Sequence, residues 1–250
     1  MSARSLFPLL VVLAAVAASL YAGSIDPPAG PITATGRFGP RIDILSLPAG
    51  GGGTRAISQT GSYYLSGNLV VTSGDGIQVN APDVVIDLNG FRVEGAGTGT
   101  GILHVNGGVV SGSIVVRNGE ITGFSNGTLM NSGRLVRLEG IHSHDNTSHG
   151  INIDNGAGAA GKSVQIIDCA MTNNGGNGLF CTRSGMVRGC SAVANGVDGL
   201  FLLGGLVENC YARENAGTAD IVVNNGLLRG CSAGSFLPQN GTTLVDNHTL

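Results

Sequence analysis

Cys169, Cys190, Cys210 and Cys231 follow one another at intervals of 21, 20 and 21 residues, each inside a near-copy of one short phrase: IIDCAMTNN, VRGCSAVAN, VENCYAREN and LLRGCSAG. A fixed period in that range means one supersecondary unit per repeat, and so short a unit buries its apolar face only by stacking on its neighbours. The chain is therefore expected to be a solenoid, with each repeat one turn of a coil.

The columns around the cysteines define the turn. Three residues earlier stand Leu88, Val116, Leu138, Ile166, Val187, Val207 and Leu228, apolar in every row. The residue just before is Gly90, Asn118, Gly140, Asp168, Gly189, Asn209 or Gly230, and these residue types best tolerate a left-handed backbone. The cysteine column itself begins with Phe91, Gly119 and Ile141; two residues later come Val93, Ile121, Ser143, Met171, Ala192, Ala212 and Ala233. Each row reads as a short strand, one left-handed residue and a second short strand, with inward and outward side chains alternating on both sides of the bend. Five residues after the cysteine column, Asn146, Asn174, Asn195 and Asn215 predict amides that bond along the stack.

A second phrase supplies a third strand: GIQV from Gly76, GINI from Gly150, GLFC from Gly178, GLFL from Gly199 and DIVV from Asp220. Three strands in so few residues leave no room for helices, so the fold class is all-β, a single-chain parallel β-solenoid. Seven repeats and an opening coil near Gly61–Val79 make about eight coils of ~21 residues, roughly 38 Å tall at the ~4.8 Å strand spacing.

Glycine fills 43 of 250 positions, but without the every-third spacing of collagen, and 42% apolar content in period-2 patterning argues against disorder. A net charge of -3 and a single lysine, Lys162, give no basic stripe and exclude nucleic acid as the expected partner. Residues 1–22, with Arg4, the apolar run Leu6–Leu20 and small residues around Ala22, read as a secretory leader cleaved after Ala22; the competing reading is an uncleaved anchor. Residues 23–60 are Pro- and Gly-rich and read as a linker, 61–235 as the coil, and 236–250, where the repeat breaks, as a C-terminal cap. The expected location is secreted or periplasmic. Stacked parallel strands hold in-register Cβ atoms about 4.8 Å apart, outside the ~3.5–4.5 Å that a disulfide needs, so the cysteines are expected to be free, buried filler.

The segments VVIDLNGFRVEG and IVVRNGEITG, and rows such as VRGCSAVANGVDGLFL, resemble the right-handed parallel β-helix proteins of the pectate-lyase-like superfamily over roughly residues 61–234. That resemblance implies a right-handed coil with the left-handed turn residue and asparagine ladder known in the superfamily. Its members include polysaccharide lyases, polygalacturonase-type hydrolases, epimerases, tailspikes and adhesins, so the resemblance assigns no reaction. The aspartate clusters of the well-studied lyases and hydrolases have no counterpart in this chain.

Gly156-Ala-Gly-Ala-Ala-Gly-Lys-Ser163 matches the phosphate-loop pattern, but that chemistry needs a helix after the loop, and a strand pattern follows; no nucleotide is expected. The richer candidate is outward. After the bend, one outward column reads Arg92, Glu120, His142, Ala170, Ser191, Tyr211 and Ser232; the next reads Glu94, Thr122, His144, Thr172, Val193, Arg213 and Gly234. Glu94 and Glu120, with Arg92, are the candidate catalytic set, because a glycosidase needs two carboxyls flanking one sugar linkage. His142, His144 and Asp145 are the candidate ligands for a divalent metal, since residues i and i+2 on a strand share a face. The plain alternative is a solvated strand face. Before the bend, Arg117, Glu139, Arg188, Glu208 and Arg229 alternate in sign and read as a structural charge ladder. Three functions stay open: a module binding extracellular polysaccharide, a lyase or hydrolase acting at this patch, and a structural element of the envelope.

Overall fold

The inward columns of branched aliphatics and cysteines demand a fold in which every repeat is covered by the next. In a computed structural model that describes residues 40–104, 112–131, 133–154 and 163–250, they obtain it from two long sheets whose strands all pair in parallel. These residues belong to one compact unit, Gly36–Leu250; the other unit, Met1–Thr35, which holds the expected leader, lies outside the described residues. A nine-stranded sheet runs from Arg55–Ile57 through Ile77–Val79, Thr100–His104, Asn126–Met130, Ile151–Ile153, Leu179–Cys181, Leu200–Leu202 and Ile221–Asn224 to Phe236–Gln239. A seventeen-stranded sheet collects the strands on either side of the bend. All-β architecture with parallel sheets is thus observed, as a β-solenoid requires.

All seven residues of the expected bend column have left-handed φ, from 51° at Asp168 to 79° at Gly90. A second left-handed column, Gly123, Asp145, Asn173, Ala194 and Glu214, turns the chain again four residues after the cysteine column. In two rows the strand continues through the first bend, giving Ser113–Thr122 and Leu135–His144. Between the sheets the inward columns are dry: Leu138, Val187, Ile121, Met171, Ile151 and Leu200 are all 0% exposed. Ser143, also fully buried, donates to the Gly150 carbonyl at 2.8 Å, so its hydroxyl costs little.

The amide stack forms. Nδ2 of Asn146, Asn174 and Asn195 donates to Oδ1 of the next asparagine at 2.8–2.9 Å, and Asn215 Nδ2 donates to Asp220 Oδ1 at 2.7 Å. Each Oδ1 also accepts a backbone N–H from the row above, as at Asn174 N to Asn195 Oδ1, 3.1 Å. All five cysteines are free and buried. The charge ladder is realised in its later part, where Glu208 meets both Arg188, at 4.0 Å, and Arg229. Earlier, Arg117 turns to Asp87 and Glu139 to Arg137 instead, at 3.1 and 2.9 Å.

The sheets extend past both expected boundaries. Ile42–Asp43 already pairs with Gly61–Tyr64, and the 3-10 turn Ile44–Ser46 inserts Ile44, 0% exposed, into the core. At the far end, residues 236–250 form three strands that pair in parallel with the preceding row. Within the phosphate-loop look-alike only Ser163 is described, and it opens the strand Ser163–Ile167, so the helix that the motif requires is absent there.

Candidate outward site on the first rows

Register puts the expected outward residues side by side. Arg92 pairs with Glu120 and Glu120 with His142; Glu94 pairs with Thr122 and Thr122 with His144. Every side chain of the patch projects from a strand fixed by neighbours above and below, so the backbone under it is rigid. The six form one strip, with exposed Asp145 at its edge where the second left-handed bend begins.

The side chains then choose partners. Arg92 Nε donates to Glu120 Oε2 at 2.8 Å and its Nη1 lies 3.9 Å from Glu94 Oε2, so one guanidinium holds both candidate carboxylates. The hydrogen bond from Arg92 keeps the Glu120 carboxyl below its ordinary range. A general acid needs the opposite shift, so Glu120 as folded favours the ionised carboxylate over a proton donor. The candidate metal ligands are each engaged by a hydrogen-bond partner. His142 Nε2 meets Thr172 Oγ1 at 2.9 Å, while His144 Nδ1 meets Asp145 Oδ2 at 2.7 Å and Thr122 Oγ1 at 3.4 Å. The two rings face each other at 4.4 Å between centroids. Burial and then the neighbouring His144 push His142 down, which favours its neutral form. Among the described residues no group of three His, Cys, Asp or Glu is arranged to hold a metal ion.

Four of the five cysteine thiols, Cys169, Cys181, Cys190 and Cys210, are pushed up, whereas the hydrogen bond with Cys210 draws Cys231 down in a site that is 0% exposed. The hydrogen bond with Cys190 and burial hold the Cys169 thiol well above its usual range, and burial pushes Cys181 up to about 11. Protonated, buried thiols are poor nucleophiles. His104 is packed, 1% exposed, with Nδ1 on the Val79 carbonyl at 2.9 Å.

Two features escaped the sequence. His149, Phe180 and Phe201 stack at 5.1 and 5.2 Å on the outside of the nine-stranded sheet. Phe180 is sandwiched between the other two rings. Phe180 and Phe201 stand 21 residues apart in matched phrases, a signal that could have revealed them. The second is a cleft of about 470 Å³ lined by residues including Pro48, Gly51, Thr54, Asp75 and Gln78. Asp75 is engaged there, accepting from Thr100 N at 2.8 Å and from Gln78 Nε2 at 2.9 Å. No helix among the described residues is long and apolar enough to cross a membrane. Comparison with protein-family models, with curated proteins and with solved structures found no match to this chain.

Proposed function

We propose that the chain is an exported right-handed parallel β-helix of about eight coils that binds an extended extracellular polysaccharide, in the cell envelope or outside it. The reading of export rests on the leader pattern of residues 1–22. The observation that carries the binding reading is the Arg92–Glu120–His142 strip: donors and acceptors at strand spacing, partly exposed, on a backbone that stacking holds still. Pre-placed polar groups cost little ordering when a ligand arrives. Glu94, Glu120 and Asp145 outnumber Arg92, and His142 is held toward neutrality, so the strip repels polyanions and suits the hydroxyls of a neutral glycan.

Affinity electrophoresis through neutral and uronic-acid polysaccharides tests this, with product formation followed in parallel. The neutral polymers should retard the protein, and Arg92→Ala with Glu120→Ala should weaken retention at least about tenfold, or ~1.4 kcal/mol. No retardation by any polymer would leave only a structural role. Cleavage or elimination that disappears in Glu120→Gln would replace the binding reading with the enzymatic one.

A further inference from the structure

One cation is buried in the interior. The strand Leu179–Cys181 ends on inward Cys181, in register with Ile153 and Leu202. Arg183 follows two positions on, the spacing that keeps a side chain on the same face, and it is only 4% exposed. Its Nε donates to the Asp154 carbonyl at 2.9 Å, and its own carbonyl accepts from Cys181 Sγ at 3.3 Å, which fixes the side chain at tip and base. Among the described residues Nη1 and Nη2 of Arg183 find no hydrogen-bond partner, and both are buried. Asp154 is the acid whose charge reaches the guanidinium, yet its carboxylate is exposed and accepts from Thr182 Oγ1 at 3.1 Å. What Asp154 gives Arg183 is its backbone. The sequence that follows Asp154, residues 155–162, holds Lys162 and no acid, so that stretch offers no carboxylate.

A guanidinium does not shed its proton as a buried lysine can, so this charge persists in the interior. An interior charge without a counter-charge is among the costliest features a fold can carry. Nearby His104 adds no second charge. Burial, and after it the charge of Arg183, push its pKa down, and its Nδ1 is occupied by the Val79 carbonyl. We propose that Nη1 and Nη2 of Arg183 hold a small monovalent anion of the chloride class, bound inside the solenoid as a structural ion. The two nitrogens form the outer side of a planar fork and present their N–H bonds to one acceptor. A single negative charge balances the single guanidinium. Sulfate or phosphate would carry a further charge indoors with nothing to balance it.

Urea unfolding of the full chain tests this, with chloride raised from about 2 to 200 mM and gluconate keeping the ionic strength constant. An ion that binds only the folded chain multiplies the folding equilibrium constant by 1 + [L]/Kd, so a millimolar site should raise it at least about tenfold over that range. Arg183→Met keeps much of the apolar stem, removes the charge and should abolish the dependence. Bromide gives a second readout that needs no variant: its anomalous scattering should place the ion within hydrogen-bond distance of Nη1 and Nη2 in crystals of the native chain. A native chain indifferent to chloride, an equal dependence in Arg183→Met, or bromide found only at the surface would overturn the proposal.

Discussion

The corner five residues after the cysteine column is filled in two ways. In the earlier rows Phe124 fills it by volume, fully buried, against backbone where Gly95 and Gly101 leave room: a Cβ at either would meet the ring at 2.5 and 3.2 Å. From Asn146 onward the same corner is filled by amides that bond along the stack and cap backbone N–H groups. The cysteine column shows the same split, with Phe91, Gly119 and Ile141 above four thiols. One backbone path thus accepts either a shape-matched core or a repeated hydrogen-bond ladder. The ladder asks for an amide in the next row, 28, 21 and 20 residues on, and ends on the carboxylate of Asp220. The volume solution tolerates irregular repeats, and the outward polar strip sits on the irregular rows.

The largest effect should come from setting these two corners against each other. Asn195 Oδ1 accepts from Asn174 N and Nδ2, and its own Nδ2 donates to Met171 O and Asn215 Oδ1. Asn195→Ala leaves several buried groups without partners and should cost about 3–5 kcal/mol. Phe124→Ala should cost a similar ~3–5 kcal/mol, but through a cavity. Leucine separates the causes in urea unfolding: Phe124→Leu should recover most of the loss, and Asn195→Leu should not. Equal recovery at both sites would mean the ladder contributes by volume alone.

A smaller effect sharpens the same contrast. Gly150, Gly178 and Gly199 form a column in which an added Cβ would meet the next row's carbonyl and a ladder amide; at Gly178 these lie at 2.6 Å from Gly199 O and 2.9 Å from Asn195 Nδ2. Gly178→Ala should therefore cost roughly 1–3 kcal/mol by overpacking. At Gly51 a Cβ would meet nothing within 4 Å, and Gly51→Ala should fall within about 0.5 kcal/mol of the native protein. Thermal unfolding of both variants gives the comparison directly.

Much of the fold was legible because solenoid geometry repeats its demands. The bend column reads from Gly90 to Gly230 because few residue types accept that backbone, and the asparagines announce their stack by recurrence. The second left-handed column stayed hidden because Ala194 and Glu214 stand where turn residues are expected; the row already paired on each side forces their φ. The strands in the segments beside the repeats gave no such signal for the complementary reason. Ile44 and Leu244 belong to no phrase, yet stacking on an existing row is enough to order them. For the outward strip, position was legible and partnership was not. Period-2 alternation fixed which face Arg92 and His142 occupy, but long side chains choose among neighbours by geometry that no column records.

The smallest effect concerns the aromatic stack, and it is read through pH. His149 Nδ1 accepts the Asn177 N–H at 3.0 Å while its ring lies on Phe180, and burial pushes its pKa down. The unfolded chain then binds the proton more readily than the folded one. Stability should be flat above about pH 7 and fall as pH drops through the ordinary histidine range near ~6.5. Burial acts in the same direction at His104 and His142, so three groups contribute to the slope. His149→Phe extends the stack but loses the acceptor, and should cost about 0.5–1.5 kcal/mol at pH 8. Between about pH 6.5 and 5 its melting temperature should fall less steeply than the native protein's, retaining the part due to the other two imidazoles. A variant with the native slope would place the proton-sensitive step entirely at His104 and His142 and would leave the aromatic stack indifferent to pH.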